Sequence, residues 1–393
     1  MNILHTVEFY APHVGGAEEV VRQVSERLAA RGHTVTVATR TLPEREYRSL
    51  NGVAIESFDV SGSATRGIVG EGDRYQTFLR DARIDVMLNS AAQQWASDLA
   101  FPLLPDLPYA RAFVPCGFSG LYRPEYAAYY APMPDTLRHY DELIFHADQY
   151  RDTAFAREHG LARRTVIPNG ASEREFTASA ASAFRAQYGI AADVPLLLTV
   201  GNHTGQKGHA LAIEAFRRAR IGEAVLVVIG GTIEGSGAGC SRRCRFQAET
   251  TRWRSGGKKR VLLLNPPRAD VVAAFQAADL FVFGSNVEYS PLVLYEAVAA
   301  KTPFISVACG NAEEIAAWTG GGIVIPTQPR PHGYVTAKPA DMAAAIESLI
   351  GDSGRRAALA EAGHRAWRER FTWDAIVDLY EEAYRRAIER RAS

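Results

Sequence analysis

The chain has 393 residues, 47% of them apolar and 22% charged, and its 44 basic residues balance 44 acidic ones. That length suits two ordinary domains, and a net charge of zero excludes a bulk polyanion binder such as a nucleic-acid coat protein. Four cysteines are too few for a disulfide scaffold, and no stretch is long and apolar enough to span a membrane. The first residues, MNILHTVEF, read as a strand rather than a secretory signal, so a cytoplasmic protein is expected.

Ile3 to Val7 is strand-like and leads into a loop, Tyr10-Ala-Pro-His-Val-Gly-Gly. Ala17 to Ala30 reads as a helix with Val20, Val21, Val24 and Leu28 on one face, and Gly32 follows its end. Thr34 to Thr39 is a β-branched strand. Strand, glycine turn, helix and strand make one βαβ unit of a parallel sheet. Gly15-Gly16 at the helix start lets the backbone approach an anion closely. The second strand ends in Arg40 rather than in the acid that holds a dinucleotide ribose, so no nicotinamide cofactor is expected. Residues 44–72 give no pattern that can be placed. Further strands are expected at Ile84–Leu88, Ala110–Val114, Leu143–Phe145 and Thr165–Pro168. Between them, Phe118, Tyr122, Tyr126, Tyr129 and Tyr130 crowd one segment. Such rings suit a helix packed on its own domain, a sugar acceptor site or a peripheral membrane contact.

The second half alternates apolar strands with helices, the mark of a parallel sheet covered on both faces. Its strands are expected at Leu196–Val200, Ala224–Ile229, Val261–Leu264, Leu280–Phe283, Phe304–Ala308 and Ile323–Ile325, and three helices close the chain. Ligands of such sheets bind beyond the strand C-termini. After the first of these strands comes Gln206-Lys207-Gly208, where a lysine can neutralise phosphate. After the fourth comes Asn286 to Pro303, with Glu288 in a polar loop and Glu296 eight positions on in a helix. Ser290 is expected to cap that helix and Pro291 to be its first residue. The N–H groups near Pro291-Leu292 offer a seat for phosphate. Carboxylates repel phosphate, so the two acids are expected to accept hydrogen bonds from hydroxyls. Hydroxyls and phosphate together suggest a sugar nucleotide.

The segment Glu288, Pro291, Leu292, Glu296, Ala297, Ala299 resembles the Glu-x7-Glu motif of the retaining glycosyltransferases of family 4. Gly15-Gly16-Ala-Glu resembles that family's loop over the donor phosphates, Val166-Ile-Pro-Asn-Gly its hinge, and Gln206-Lys207-Gly208 its phosphate lysine. The resemblance implies a GT-B type α/β fold: two Rossmann-like parallel-sheet domains facing each other across a cleft, with a C-terminal helix crossing back. The implied domains are 1–170 plus 374–393 on the acceptor side and 171–373 on the sugar-nucleotide side. It assigns ribose hydroxyls to Glu296, a donor-sugar hydroxyl to Glu288 and the departing diphosphate to Lys207. Catalysis would rest on Glu288 and Lys207, and donor binding on these with Gly15, Gly16, His203, Ser290, Pro291, Leu292 and Glu296.

Two positions depart from the family pattern. Asn202-His203 stands where a phosphate arginine is usual, leaving His203 as a weaker, pH-dependent donor. Cys116 stands where a histidine reaches the sugar, and His13 is a substitute on the sugar or acceptor side. Arg242 to Arg260 is strongly basic, either a solvated helix or a surface for an anionic lipid or acceptor. Cys240 and Cys244 form half of a ligand set, but no second pair at ligand spacing is legible, so no metal is expected. The reading is transfer of a sugar from a nucleoside-diphosphate donor to a glycan, lipid-linked or small-molecule acceptor in glycan or glycoconjugate biosynthesis. No cofactor and no nucleic-acid partner are expected. A sugar-nucleotide epimerase, a glycan phosphorylase and a non-catalytic nucleotide-sugar binder are the alternatives.

Overall fold

The computed structural model describes residues 1–177, 179–231 and 238–393. They form two units: Met1–Asn169 together with Trp373–Ser393, and Gly170–Thr372.

In the first unit the strands are β1 (Asn2–Thr6), β2 (Thr34–Arg40), β3 (Ser49–Leu50), β4 (Val53–Phe58), the pair β5 (Val60–Ser63) and β6 (Gly67–Gly70), then β7 (Val86–Ser90), β8 (Ala110–Val114), β9 (Glu142–Phe145) and β10 (Arg164–Val166). All but β5 and β6 join one sheet in the order β10-β9-β8-β7-β1-β2-β4-β3. Neighbours run parallel except β3 against β4, and β5 and β6 form their own hairpin. The stretch 44–72, unreadable in the sequence, thus holds four short strands. They are too short and too rich in Gly and Ser for an alternating pattern to show.

Six helices belong to this run: α1 (Gly16–Ala30), α2 (Gly72–Asp81), α3 (Trp95–Ala100), α4 (Ala127–Tyr130), α5 (Met133–Arg138) and α6 (Arg151–Glu158). The predicted face of α1, Val20, Val21, Val24 and Leu28, is buried. The aromatic segment packs on its own unit. Phe118 and Tyr130 are buried in the core, and the Tyr129 hydroxyl donates to Asp98 Oδ1 at 2.6 Å and accepts from the Gln93 amide. Tyr122 stays exposed.

The second unit carries helix α7 (Ala181–Gln187), strand β11 (Leu196–Val200), α8 (His209–Arg218), β12 (Ala224–Ile229), α9 (Ala238–Arg254), β13 (Lys259–Leu264), α10 (Arg268–Ala277) and β14 (Leu280–Phe283). Then follow α11 (Leu292–Ala299), β15 (Phe304–Val307), α12 (Ala312–Thr319), β16 (Gly322–Ile325), the small pair β17 (Gln328–Pro329) and β18 (Val335–Thr336), α13 (Pro339–Gly351) and α14 (Ser353–Ala366). A single π turn, Trp367–Phe371, ends the unit. Six strands form one parallel sheet, β13-β12-β11-β14-β15-β16. Counted from β11, that is the doubly-wound order 3-2-1-4-5-6, whose reversal point lies between β11 and β14. Leu196–Leu198, Ala224–Ile229 and Leu280–Phe283 are buried throughout, as strands covered on both faces must be.

The last helix, α15 (Trp373–Ala392), belongs to the first unit. Ile376, Val377, Tyr380, Ala383, Tyr384 and Ala387 form its buried face, and Leu379 is 38% exposed. Its place in the helical repeat points it outward, and Val377 and Tyr384 complete the stripe instead. A buried relay ties this helix down: the Tyr384 hydroxyl meets His5 Nε2 at 2.9 Å, and His5 Nδ1 meets Ser25 Oγ at 2.7 Å. Burial pushes the His5 ring down to about 3, so it is neutral and serves as a hydrogen-bonding link between β1, α1 and α15.

Candidate functional site

The reversal point of the second sheet is where the β11–α8 and β14–α11 loops meet. Gly208 is the reason they meet so closely. Its φ is +70°, and a Cβ there would stand 1.8 Å from the Gly284 carbonyl oxygen, so only glycine fits on both counts. The Gln206 carbonyl then accepts from the Asn286 amide at 2.8 Å and from Ser285 Oγ at 3.1 Å. The Glu288 loop is held from its other side too. The Asn311 amide donates to the Tyr289 carbonyl at 2.9 Å, and Gly310, at φ +60°, would put a Cβ 2.4 Å from that oxygen. The Asn286 carbonyl accepts from the Val335 amide, and Gln206 Nε2 donates to the Tyr334 hydroxyl at 2.9 Å.

On this scaffold Lys207 Nζ donates to Glu288 Oε1 at 2.7 Å, across 81 residues of sequence. The lysine side chain is 34% exposed and the glutamate 11%, so the pair faces solvent from a half-buried base. Ion pairs open to water contribute about 1 kcal/mol or less, which a doubly charged phosphate ligand outweighs. Cys309 lies beneath, its thiol pushed up to about 12 by burial and by the Glu288 charge.

Helix α11 begins one residue later than expected. Pro291 has φ −71° but an extended ψ of 115°, so it occupies the N-cap and Leu292 is the first helical residue. Ser290 precedes the cap and no side chain caps the helix, because proline has no acceptor to offer. The amides at the start of α11 therefore point out of an N-terminus that no side chain closes. Glu296 lies on the second turn, where its Oε1 accepts from Arg268 at 2.5 Å. Arg268 also grips Glu175 with two bonds, 2.9 and 2.8 Å. A carboxylate has four acceptor positions, so Glu296 keeps capacity for hydroxyls beside this contact. Arg268 was not singled out in the sequence. Its signal was its place, just past the C-terminus of β13 and at the first turn of α10, the same edge that carries Lys207.

His203 departs from its expected setting. It is 4% exposed, and its Nδ1 lies 3.2 Å from His209 Nδ1 and 3.6 Å from Cys240 Sγ. Burial and the nearby Arg245 hold its pKa below the ordinary histidine value, which disfavours a pH-dependent cationic phosphate contact. The expectation that no four metal-ligating side chains could be named is corrected as well. His203, His209, Cys240 and Cys244 come together, with their ligand atoms all within 4.8 Å. The basic run also divides. Arg242, Arg243, Arg245, Arg252 and Arg254 are exposed on α9, beside exposed Phe246 and Trp253. Lys259 instead is buried, its Nζ donating to the carbonyls of Phe216 and Ala219. Among the described residues no helix is long and apolar enough to cross a membrane.

In the first unit, Gly15 is the N-cap of α1 with φ −152°, and a Cβ on Gly16 would meet nothing within 4 Å. His13 is exposed and stacks on Phe9 with ring centroids 4.5 Å apart. Cys116 follows β8 in a left-handed conformation, φ +56°. Its thiol is pushed up to about 12 by burial and by the charges of Asp152 and Glu18, so it is protonated near neutrality and is no nucleophile.

Two families match along the chain. Residues 15–170 match "Glycosyl transferase 4-like domain", and residues 181–366 match "Glycosyl transferases group 1". With the two largely parallel sheets, these matches give the chain the GT-B fold, and the sequences it is similar to are those of glycosyltransferases. A D-inositol 3-phosphate glycosyltransferase of Xylanimonas cellulosilytica is 32% identical over 238 residues, 58% of this chain and 53% of that protein. The chain thus aligns with about half the length of such curated relatives. Among solved structures, a sucrose-phosphate synthase from Thermosynechococcus elongatus superposes with a TM-score of 0.78 at 20% identity, covering 100% of both chains. Anabaena Alr3699/HepE in complex with UDP and glucose superposes with a TM-score of 0.73 at 17% identity, covering 97% of this chain and 98% of its own. At these identities the two structures speak for the fold.

Proposed function

We propose that the chain is a retaining glycosyltransferase that moves a sugar from a nucleoside-diphosphate donor to an acceptor hydroxyl in glycan or glycoconjugate biosynthesis. The observation that carries the reading is the contact of Lys207 with Glu288 at the reversal point of the second sheet. A lone lysine or a lone acid on a loop has many uses. A lysine and an acid joined across two strand ends, beside an uncapped helix N-terminus, suit a ligand that presents both phosphate and hydroxyl groups. The superposed Anabaena Alr3699/HepE is a complex with UDP and glucose, which makes UDP-glucose the first donor to try.

In this reading the bond between the sugar's anomeric carbon and the β-phosphate oxygen breaks, and its electron pair leaves with the nucleoside diphosphate. Lys207 and the first amides of α11 stabilise that charge. Glu288 accepts from a hydroxyl of the donor sugar, and Glu296 from the ribose. The acceptor oxygen bonds to the anomeric carbon on the face the phosphate leaves, and its proton passes to a departing phosphate oxygen. No side chain of the protein need form a covalent intermediate.

The test is a panel of nucleoside-diphosphate sugars offered with and without acceptors, including inositol phosphates and hexose phosphates. Diphosphate release that depends on acceptor, with the donor's anomeric configuration kept in the product, supports the reading. Donor turnover without acceptor, dependence on free phosphate, or binding with no turnover would assign the site to one of the alternatives.

A further inference from the structure

We propose that His203, His209, Cys240 and Cys244 bind a zinc ion that ties the Lys207 loop to helix α9. Two of the ligands sit in the β11–α8 connection, His203 in the loop and His209 at the first residue of α8. The other two are one turn apart on α9, so they face the same side of that helix. The four ligand atoms all lie within 4.8 Å of one another.

Two of the separations match the edges of a tetrahedron. Zinc bound at about 2.05 Å to nitrogen and about 2.3 Å to sulfur has edges of about 3.3 Å between nitrogens and about 3.6 Å between nitrogen and sulfur. The two imidazole Nδ1 atoms stand 3.2 Å apart, and Cys240 Sγ stands 3.6 Å from His203 Nδ1. His203, His209 and Cys244 are buried, 4%, 2% and 0% exposed, and Cys240 is half-buried. Turning three polar groups toward one buried point is costly unless something joins them. A divalent cation with two thiolates is a neutral unit that can be buried.

The ligands bind as thiolates and neutral imidazoles, so uptake of the ion releases the thiol protons. Two soft thiolates and two imidazoles in tetrahedral array select zinc. Four protein ligands fill the sphere, so the ion is structural and takes no part in the transfer step. Its consequence is local. Lys207 lies between His203 and His209, and with both ligands fixed to α9 the loop that presents its ammonium is pinned at two points.

The chain, purified without a histidine tag or chelator, should carry about one zinc per molecule by elemental analysis. Replacing zinc by cobalt(II) should give the intense visible bands of a tetrahedral site and a thiolate-to-cobalt charge-transfer band. Cys240→Ser with Cys244→Ser should drop the zinc content at least about tenfold and abolish the charge-transfer band. His203→Gln should weaken cobalt affinity while leaving the charge-transfer band. Should the double variant not fold, the wild-type cobalt spectrum decides. A wild-type chain that holds no zinc, and that takes up cobalt only with an octahedral spectrum, would overturn the proposal. So would a metal-free chain in which two thiols resist titration because Cys240 and Cys244 are oxidised to a disulfide.

Discussion

The ends of the two sheets carry the same kind of feature, a glycine-bearing loop between a strand and a helix, yet they are built differently. In the second unit the loop after β11 is locked. Gly208 lies against the Gly284 carbonyl, and the Gln206 carbonyl takes two hydrogen bonds from the neighbouring loop. In the first unit the loop after β1 is open, with Val14 85% exposed and free space around a Cβ on Gly16. One edge is arranged before any ligand arrives, and the other leaves room for one. That contrast suits a fixed donor site on one unit and an adaptable loop on the other.

The largest effect should come from breaking the locked edge. Gly208→Ala forces a left-handed φ and a backbone clash, and should cost about 3 kcal/mol or more in stability, read by denaturant unfolding. Next is the chemistry at that edge. Lys207→Ala and Glu288→Gln should each lower kcat by about 10²–10³ with little change in unfolding midpoint, since their mutual contact is partly solvated. Arg268→Ala should act more mildly, raising KM for the donor by about tenfold through a misplaced Glu296, with kcat nearly kept. The smallest effect on folding belongs to the open edge. Gly16→Ala should leave stability unchanged or raise it by about 0.5 kcal/mol, because its φ is ordinary and nothing is near. If that same variant loses transfer activity, the space over Gly16 is used by substrate. If both folding and transfer are untouched, the open loop has no part in catalysis.

Much of the fold was legible because buried parallel strands announce themselves. Leu196–Val200, Ala224–Ile229 and Leu280–Phe283 fall where their apolar runs place them. Short elements escaped, β3 to β6 among them, since two to six residues do not establish a period. The Lys207–Glu288 contact could be anticipated only as two motifs at one sheet edge, because 81 residues separate them. Arg268 carried no motif at all, and its partners Glu175 and Glu296 lie 93 and 28 residues away. The histidine–cysteine cluster was invisible for a similar reason. Two ligands come from a loop and a helix start, two from one face of another helix, and the chain between them runs through β12. Spacing rules recognise ligand pairs set in tight turns, and the pair His203 and His209 is not one of these.

The central claim is that the lysine on the locked edge receives the diphosphate of a sugar nucleotide. Titration calorimetry of the chain and its Lys207→Ala variant, with matched nucleoside diphosphates and monophosphates, addresses it most directly. The account predicts that one nucleoside diphosphate binds the wild type, that the substitution weakens it at least about tenfold, and that the weaker monophosphate affinity hardly moves. Equal diphosphate affinity in the two proteins, or no nucleotide binding by either, would contradict it.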